Sequence, residues 1–123
     1  MSGNKLIVDT NIVLYFLKGN PDIIRFFADY FIGISFITEL ELLSLSTISP
    51  DDEQTIQAFL NHTRIIDINS DIKAKTIQVR RVSKLKLPDA IIAATAISMD
   101  VPLLTAEQAF SRVDDPRIIL YEL

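Results

Sequence analysis

Apolar positions along the chain switch between two spacings, and the switches mark out the elements. Leu6-Ile7-Val8 is an unbroken apolar run closed by Asp9, the pattern of a strand buried on both faces. From Thr10 to Lys18 the apolar residues at 12, 13, 16 and 17 keep helical spacing until Gly19 and Pro21 interrupt it. Ile23, Ile24, Phe26, Phe27 and Tyr30 predict a second amphipathic helix over Asp22 to Tyr30. Phe31 to Ile37 is β-branched and aromatic with Ser35 as its one polar residue, so it reads as a second buried strand. A helix from Thr38 to about Ser44 follows, and Ser49-Pro50-Asp51-Asp52 opens another that ends near His62. Arg64 to Ile68 is the third strand, and Ser70-Asp71 caps a long basic helix to about Lys84. Leu87-Pro88-Asp89 opens an apolar helix to Met99. Pro102 to Thr105 is the fourth strand, Glu107 to Arg112 a short helix, and Ile118 to Tyr121 the fifth strand.

Continuously apolar strands alternating with helices imply a parallel sheet covered on both faces. The expected fold is therefore α/β, a three-layer α/β/α sandwich with a mostly parallel five-stranded sheet. At 123 residues, without repeats, linkers or low-complexity tracts, the chain is expected to form a single domain over 1–123. The absence of cysteine removes disulfides, thiolate metal sites and thiol nucleophiles, and suits a reducing cytoplasm. The longest aliphatic and aromatic run, Ile12 to Leu17, falls far short of a membrane span, and the first residues lack a signal peptide's long apolar segment. A cytoplasmic protein with no membrane partner is the expectation.

Charge narrows the chemistry. Twelve Lys and Arg against sixteen Asp and Glu leave a net of −4 and a pI near 4.8. Such a chain does not hold nucleic acid through a global positive field, yet it can be a nuclease whose acids sit on metal ions. In open parallel sheets, ligands bind outside the carboxyl ends of the strands, where strand order reverses. Four acids fall at such places: Asp9 ends the first strand, Glu41 and Asp89 lie in early helical turns, and Glu107 follows the fourth strand. Carboxylates gathered in one pocket repel one another unless a cation lies between them, and hard oxygen ligands select Mg2+ or Mn2+. Phosphodiester hydrolysis needs a water made nucleophilic near neutral pH and relief of charge growing on phosphate oxygens, which a carboxylate-held ion supplies. Each acid also has a structural reading. Thr38-Glu39-Leu40-Glu41 fits a capping box, Asp9 can cap the helix from Thr10, and Asp89 and Glu107 suit the positive end of a helix. Asp9, closing an otherwise apolar strand, has the strongest functional claim.

Four ordered blocks carry a resemblance. Leu6-Ile7-Val8-Asp9-Thr10-Asn11, Ile34 to Leu42, Leu87-Pro88-Asp89 through Ala96, and Leu103-Leu104-Thr105-Ala106-Glu107 with Phe110 resemble the PIN domain in order and spacing. Within that family the chain is similar to the VapC-type toxins of prokaryotic type II toxin-antitoxin pairs. The resemblance implies a PIN-like fold and a metal-dependent endoribonuclease using one or two Mg2+ or Mn2+ ions. It places the family's three core acids at Asp9, Glu41 and Asp89. Glu107 falls where many members carry a fourth acid, usually Asp, Thr105 matches the hydroxyl near the metal, and Asn11 the polar residue that orients the first Asp. The implied partners are an RNA substrate and a cognate antitoxin protein. The aromatic cluster of Tyr15, Phe16, Phe26, Phe27, Tyr30 and Phe31 across the first two helices is expected to be mostly core. Part of it is open to reading as a homodimer face or a groove for an antitoxin helix, since a chain this apolar is expected to hide surface by association.

Between Asp71 and Asp89 stand six cations and no acid: Lys73, Lys75, Arg80, Arg81, Lys84 and Lys86. Helical spacing distributes them over more than one face, so a solvated helix and a phosphate guide are both open readings. His62 is the only histidine, which removes a two-histidine ribonuclease mechanism, and no Gly-x-Ser-x-Gly motif is present. A receiver domain would need an acidic pair ahead of its phosphorylated Asp and a Lys after the last strand, where this chain has Glu122. A haloacid dehalogenase-type phosphatase would need Asp-x-Asp where this chain has Asp9-Thr10-Asn11. A PIN-like scaffold that binds RNA or protein without cutting remains the alternative. Setting the four candidate acids aside leaves acids and cations equal at twelve each, so the net charge is expected to concentrate in the pocket.

Overall fold

The computed structural model describes residues 4–46 and 48–122; the first three residues of the N-terminal stretch considered above lie outside them. Five short strands, β1 (Lys5–Val8), β2 (Phe31–Ser35), β3 (Arg64–Ile66), β4 (Leu103–Thr105) and β5 (Ile118–Leu120), form one sheet in the order β3-β2-β1-β4-β5. Every pairing is parallel, with Ile7 opposite both Gly33 and Leu103. Chain order runs outward from β1 to β3 on one side and then restarts at β4 on the other. The strand order therefore reverses between β1 and β4, and that is where a crevice opens at the strands' carboxyl ends.

Because successive strand residues point to opposite faces, β1 feeds two cores. Leu6 and Val8 join Ile12, Val13, Ile23, Ile34, Leu42, Ile56, Leu60 and Leu104 on one face. That face is covered by α1 (Thr10–Leu17), α2 (Pro21–Asp29), α3 (Phe36–Leu43) and α4 (Pro50–Asn61). Ile7 faces the other way, into a core built with α5 (Ser70–Ser83) and α6 (Leu87–Met99). The helix α6 is buried from Ala90 through Ala96, and its four alanines there let its axis lie close to the neighbouring elements. Rings on the first two helices pack mainly inward: Phe16 stacks on Phe27 with centroids 4.2 Å apart, and both meet Phe59. Phe26 meets Tyr121 edge-on at 5.7 Å. Among the described residues no helix is long and apolar enough to cross a membrane.

Element boundaries shift where a polar side chain ends a strand early. The second strand stops at Ser35, two residues before the apolar run ends, because the Ser35 hydroxyl accepts the Ile37 N–H at 3.1 Å and starts α3. Thr38 is thus buried inside the helix and forms no capping box. In the third strand, Asp67 accepts its neighbour Ile68's N–H at 2.7 Å, and β3 ends at Ile66. Asn69, ahead of the expected Ser70-Asp71 pair, caps α5 by accepting from Ile72 N–H at 2.8 Å. The short helix after β4 is 3-10, over Gln108–Arg112.

Candidate active site

The crevice at the reversal is a cleft of about 240 Å³ whose lining includes Asp9, Asn11, Glu41, Asp89 and Glu107. Asp9 lies at its base, 4% exposed, just past β1. Its two oxygens are committed differently. Oδ1 accepts the Ile12 N–H at 3.0 Å and caps α1, while Oδ2 accepts the hydroxyl of Thr105. Thr105, fully buried at the end of β4, also accepts the Glu107 N–H at 3.0 Å. One hydroxyl thereby ties the ends of β1 and β4 together across the crevice and fixes how the carboxylate faces it.

Glu41 approaches from α3 on the far side. Its Oε1 accepts from the Thr10 hydroxyl at 2.5 Å, and Thr10 Oγ1 lies 3.2 Å from Thr38 Oγ1. A hydroxyl has a single proton to give, so with Thr10 donating to the carboxylate, Thr38 donates to Thr10. Thr38, wholly buried, anchors that chain of two hydrogen bonds in α3. Asp89 is the third residue of α6 and half-buried; Glu107 follows β4 and is exposed, as is Asn11 in the first turn of α1. All four acids and Asn11 therefore border one cleft, and Thr105 lies beneath it. Thr10 and Thr38, not singled out in the sequence as site residues, join them. Their signal was available only in part: Thr10 adjoins Asp9, but the Thr38 contact depends on how α1 and α3 pack.

The electrostatics of the cleft follow from this crowding. Burial raises the Asp9 carboxyl above its ordinary value of 3.8, the bonds from Thr105 and Ile12 pull it back, and the charges of Asp89 and Glu107 push it up again. Asp89 is also raised, by burial first and then by Glu107 and Glu41, with Lys86 offsetting part of the effect. The acids repel one another through the space between them, which suits a divalent cation with hard oxygen ligands. Among the described residues no three such side chains meet around one point at ligating distance.

Those raised values set a pH dependence. A carboxyl whose folded value lies above its unfolded one binds more protons in the folded chain, so stability falls as pH climbs from about 3.8 through the raised value. In chelator, Asp89→Asn is expected to gain stability relative to the unaltered chain as pH rises from about 4 to 7. Urea unfolding across that range measures the gap; a constant gap, or one closing with pH, contradicts the assignment.

The PIN domain family model matches residues 6–116. No curated protein shows a significant sequence match to the chain. Among solved structures, a toxin-antitoxin complex from Klebsiella pneumoniae is 30% identical with a TM-score of 0.82, the match covering 97% of this chain and 100% of that one. VapBC2 from Rickettsia felis, bound to a DNA fragment from its promoter, is 24% identical at TM-score 0.79, covering 94% and 96%. DNA-bound VapBC from Salmonella typhimurium is 24% identical at 0.77, covering 96% and 97%. The all-parallel five-stranded sheet with helices on both faces is the PIN-like α/β/α fold. The chain belongs to the PIN domain family.

Proposed function

We propose that the chain is a divalent-metal-dependent endoribonuclease and the toxin of a toxin-antitoxin pair. The observation that carries the reading is the cleft at the strand reversal, where Asp9, Glu41, Asp89 and Glu107 border one space and the Asp9 and Asp89 carboxyls are raised first by burial and then by the charges of the other acids. These four residues would hold Mg2+ or Mn2+, one ion or two. When bound there, the ion supplies a water that ionises near neutral pH and a positive charge facing the scissile phosphate. The chain's own groups orient the site. Thr105 and the Ile12 N–H hold Asp9, the Thr38-Thr10 pair holds Glu41, and Asn11 offers a polar side chain at the mouth. Leu14, Ile92 and Phe110 contribute to the apolar part of the cleft's lining.

The solved toxin-antitoxin complex at 30% identity supports a cognate antitoxin as partner. Exposed Leu45, which lines the cleft, and exposed Leu40 and Leu43 on α3 provide apolar surface for it. Val82, 81% exposed, and Leu87 provide surface for the proposed homodimer. A scaffold that binds without cutting is the rival, favoured by the acids standing apart around the cleft. Incubating the purified protein with defined transfer and ribosomal RNAs tests the two. Discrete fragments with Mg2+ or Mn2+ that vanish in chelator are expected; intact RNA with either metal would favour the scaffold.

A further inference from the structure

A cleft of carboxylates in a chain of net charge −4 repels a phosphate chain at every point except where cations are concentrated. Half of the twelve cations lie between Asp71 and Asp89, and among the described residues none of those six is in an ion pair. The fold sorts them. Ile72, Thr76, Val79 and Ser83 form the buried stripe of α5. Lys73, Ile77, Arg80 and Lys84, at steps of four, three and four, form the adjoining stripe, and all four are exposed, as is Arg81 beside them. Lys75 falls on the opposite flank, half-buried and bonded to Gln78. Four of the six cations thus share one side of the helix.

The C-terminal end of α5 lies next in the chain to the helix that carries Asp89: only three residues, 84–86, lead into α6, whose first turn holds it. Arg80 Nε donates to Leu85 O at 3.2 Å and holds this turn, and Lys86 is close enough to offset the repulsion that Asp89 feels. Lys84 sits at φ +57°, a left-handed cap where Gly or Asn is at ease and a lysine is strained.

We propose that the Lys73-Arg80-Arg81-Lys84 flank of α5 is a track for single-stranded RNA, carrying the strand away from the cleft for about 16 Å, the rise of eleven helical residues. This rests on the nuclease reading and adds the surface that overcomes the cleft's own repulsion. The track ends next in the chain to the helix that carries Asp89, so a strand lying on it presents one phosphodiester to the acids while its neighbours are neutralised along α5.

The test replaces Lys73→Gln, Arg81→Gln and Lys84→Asn together, leaving Arg80 to hold the turn and Asn to suit the left-handed cap. A second triple variant, Lys5→Gln, Lys18→Gln and Lys75→Gln, removes the same charge elsewhere. Cleavage of a 20-nucleotide single-stranded RNA is followed with Mg2+ between 50 and 300 mM NaCl. For the track variant, KM should rise about tenfold at low salt with kcat within twofold. Its slope of log kcat/KM against log salt should flatten by about two, near 0.7 for each cation removed. The control variant should match the unaltered chain. Equal effects from both triples, or an unchanged slope in the track variant, overturns the track. So does a track variant that cuts RNA normally and loses only its antitoxin, which would make the flank a protein surface. An unaltered chain that cuts no RNA overturns the nuclease reading instead, and the track falls with it.

Discussion

Asp9→Asn is expected to lower the single-turnover cleavage rate at least about a thousandfold, roughly 4 kcal/mol of barrier, while the chain stays folded. The separation follows from what each oxygen does. Asparagine is as good a helix cap as aspartate, so its carbonyl can keep the Ile12 N–H. Its amide can donate to Thr105 Oγ1, which already accepts the Glu107 N–H and has room for a second donor. What is lost is the negative charge at the base of the cleft, and with it a ligand. Burial and the charges of Asp89 and Glu107 work against ionised Asp9, so removing its charge relieves the metal-free fold. Circular dichroism and the thermal midpoint in chelator should be unchanged or slightly raised. Cleavage within threefold of the unaltered chain would remove Asp9 from the chemistry.

The second large effect is a reversal in stability on adding metal. An ion that binds only the folded chain stabilises it by about 2.7 kcal/mol at a hundred times its dissociation constant. For a chain of this size that is on the order of 10 °C in thermal midpoint. Asp89→Asn removes one of the mutually repelling groups and one of the proposed ligands at once. The variant should therefore melt above the unaltered chain in chelator and below it in saturating Mn2+. A crossing of this kind is hard to obtain from a merely structural carboxylate. If the two melting curves keep the same order with and without Mn2+, Asp89 is not a ligand.

Much of this was written in the residue pattern. Asp9 closing an apolar strand, and Glu107 following one, placed two acids at strand ends before any topology was known. The apolar blocks around Ile7, Ile34 and Leu103 predicted the three central strands of a parallel sheet, and the sheet is parallel throughout. Less legible was anything decided by one side chain against a continuous pattern. Phe31 to Ile37 is apolar as strand and as helix, and only the bond from Ile37 N–H to Ser35 Oγ shows where one becomes the other. The same shift moved Thr38 from a cap to a buried anchor of the Thr10-Glu41 pair. The sidedness of α5 was hidden for another reason. Its cations look scattered in one dimension, and the buried stripe that divides the helix into flanks comes from packing against α6 and the sheet.

The most direct measurement is cleavage of one structured RNA by the unaltered chain and Asp9→Asn, each with Mg2+ and with chelator, reading both rate and product ends. With water as nucleophile and the 3′-oxygen leaving, the account predicts fragments with 3′-hydroxyl and 5′-phosphate ends, formed only by the unaltered chain with metal. Cleavage that persists in chelator, or that leaves 2′,3′-cyclic phosphate ends, would contradict it.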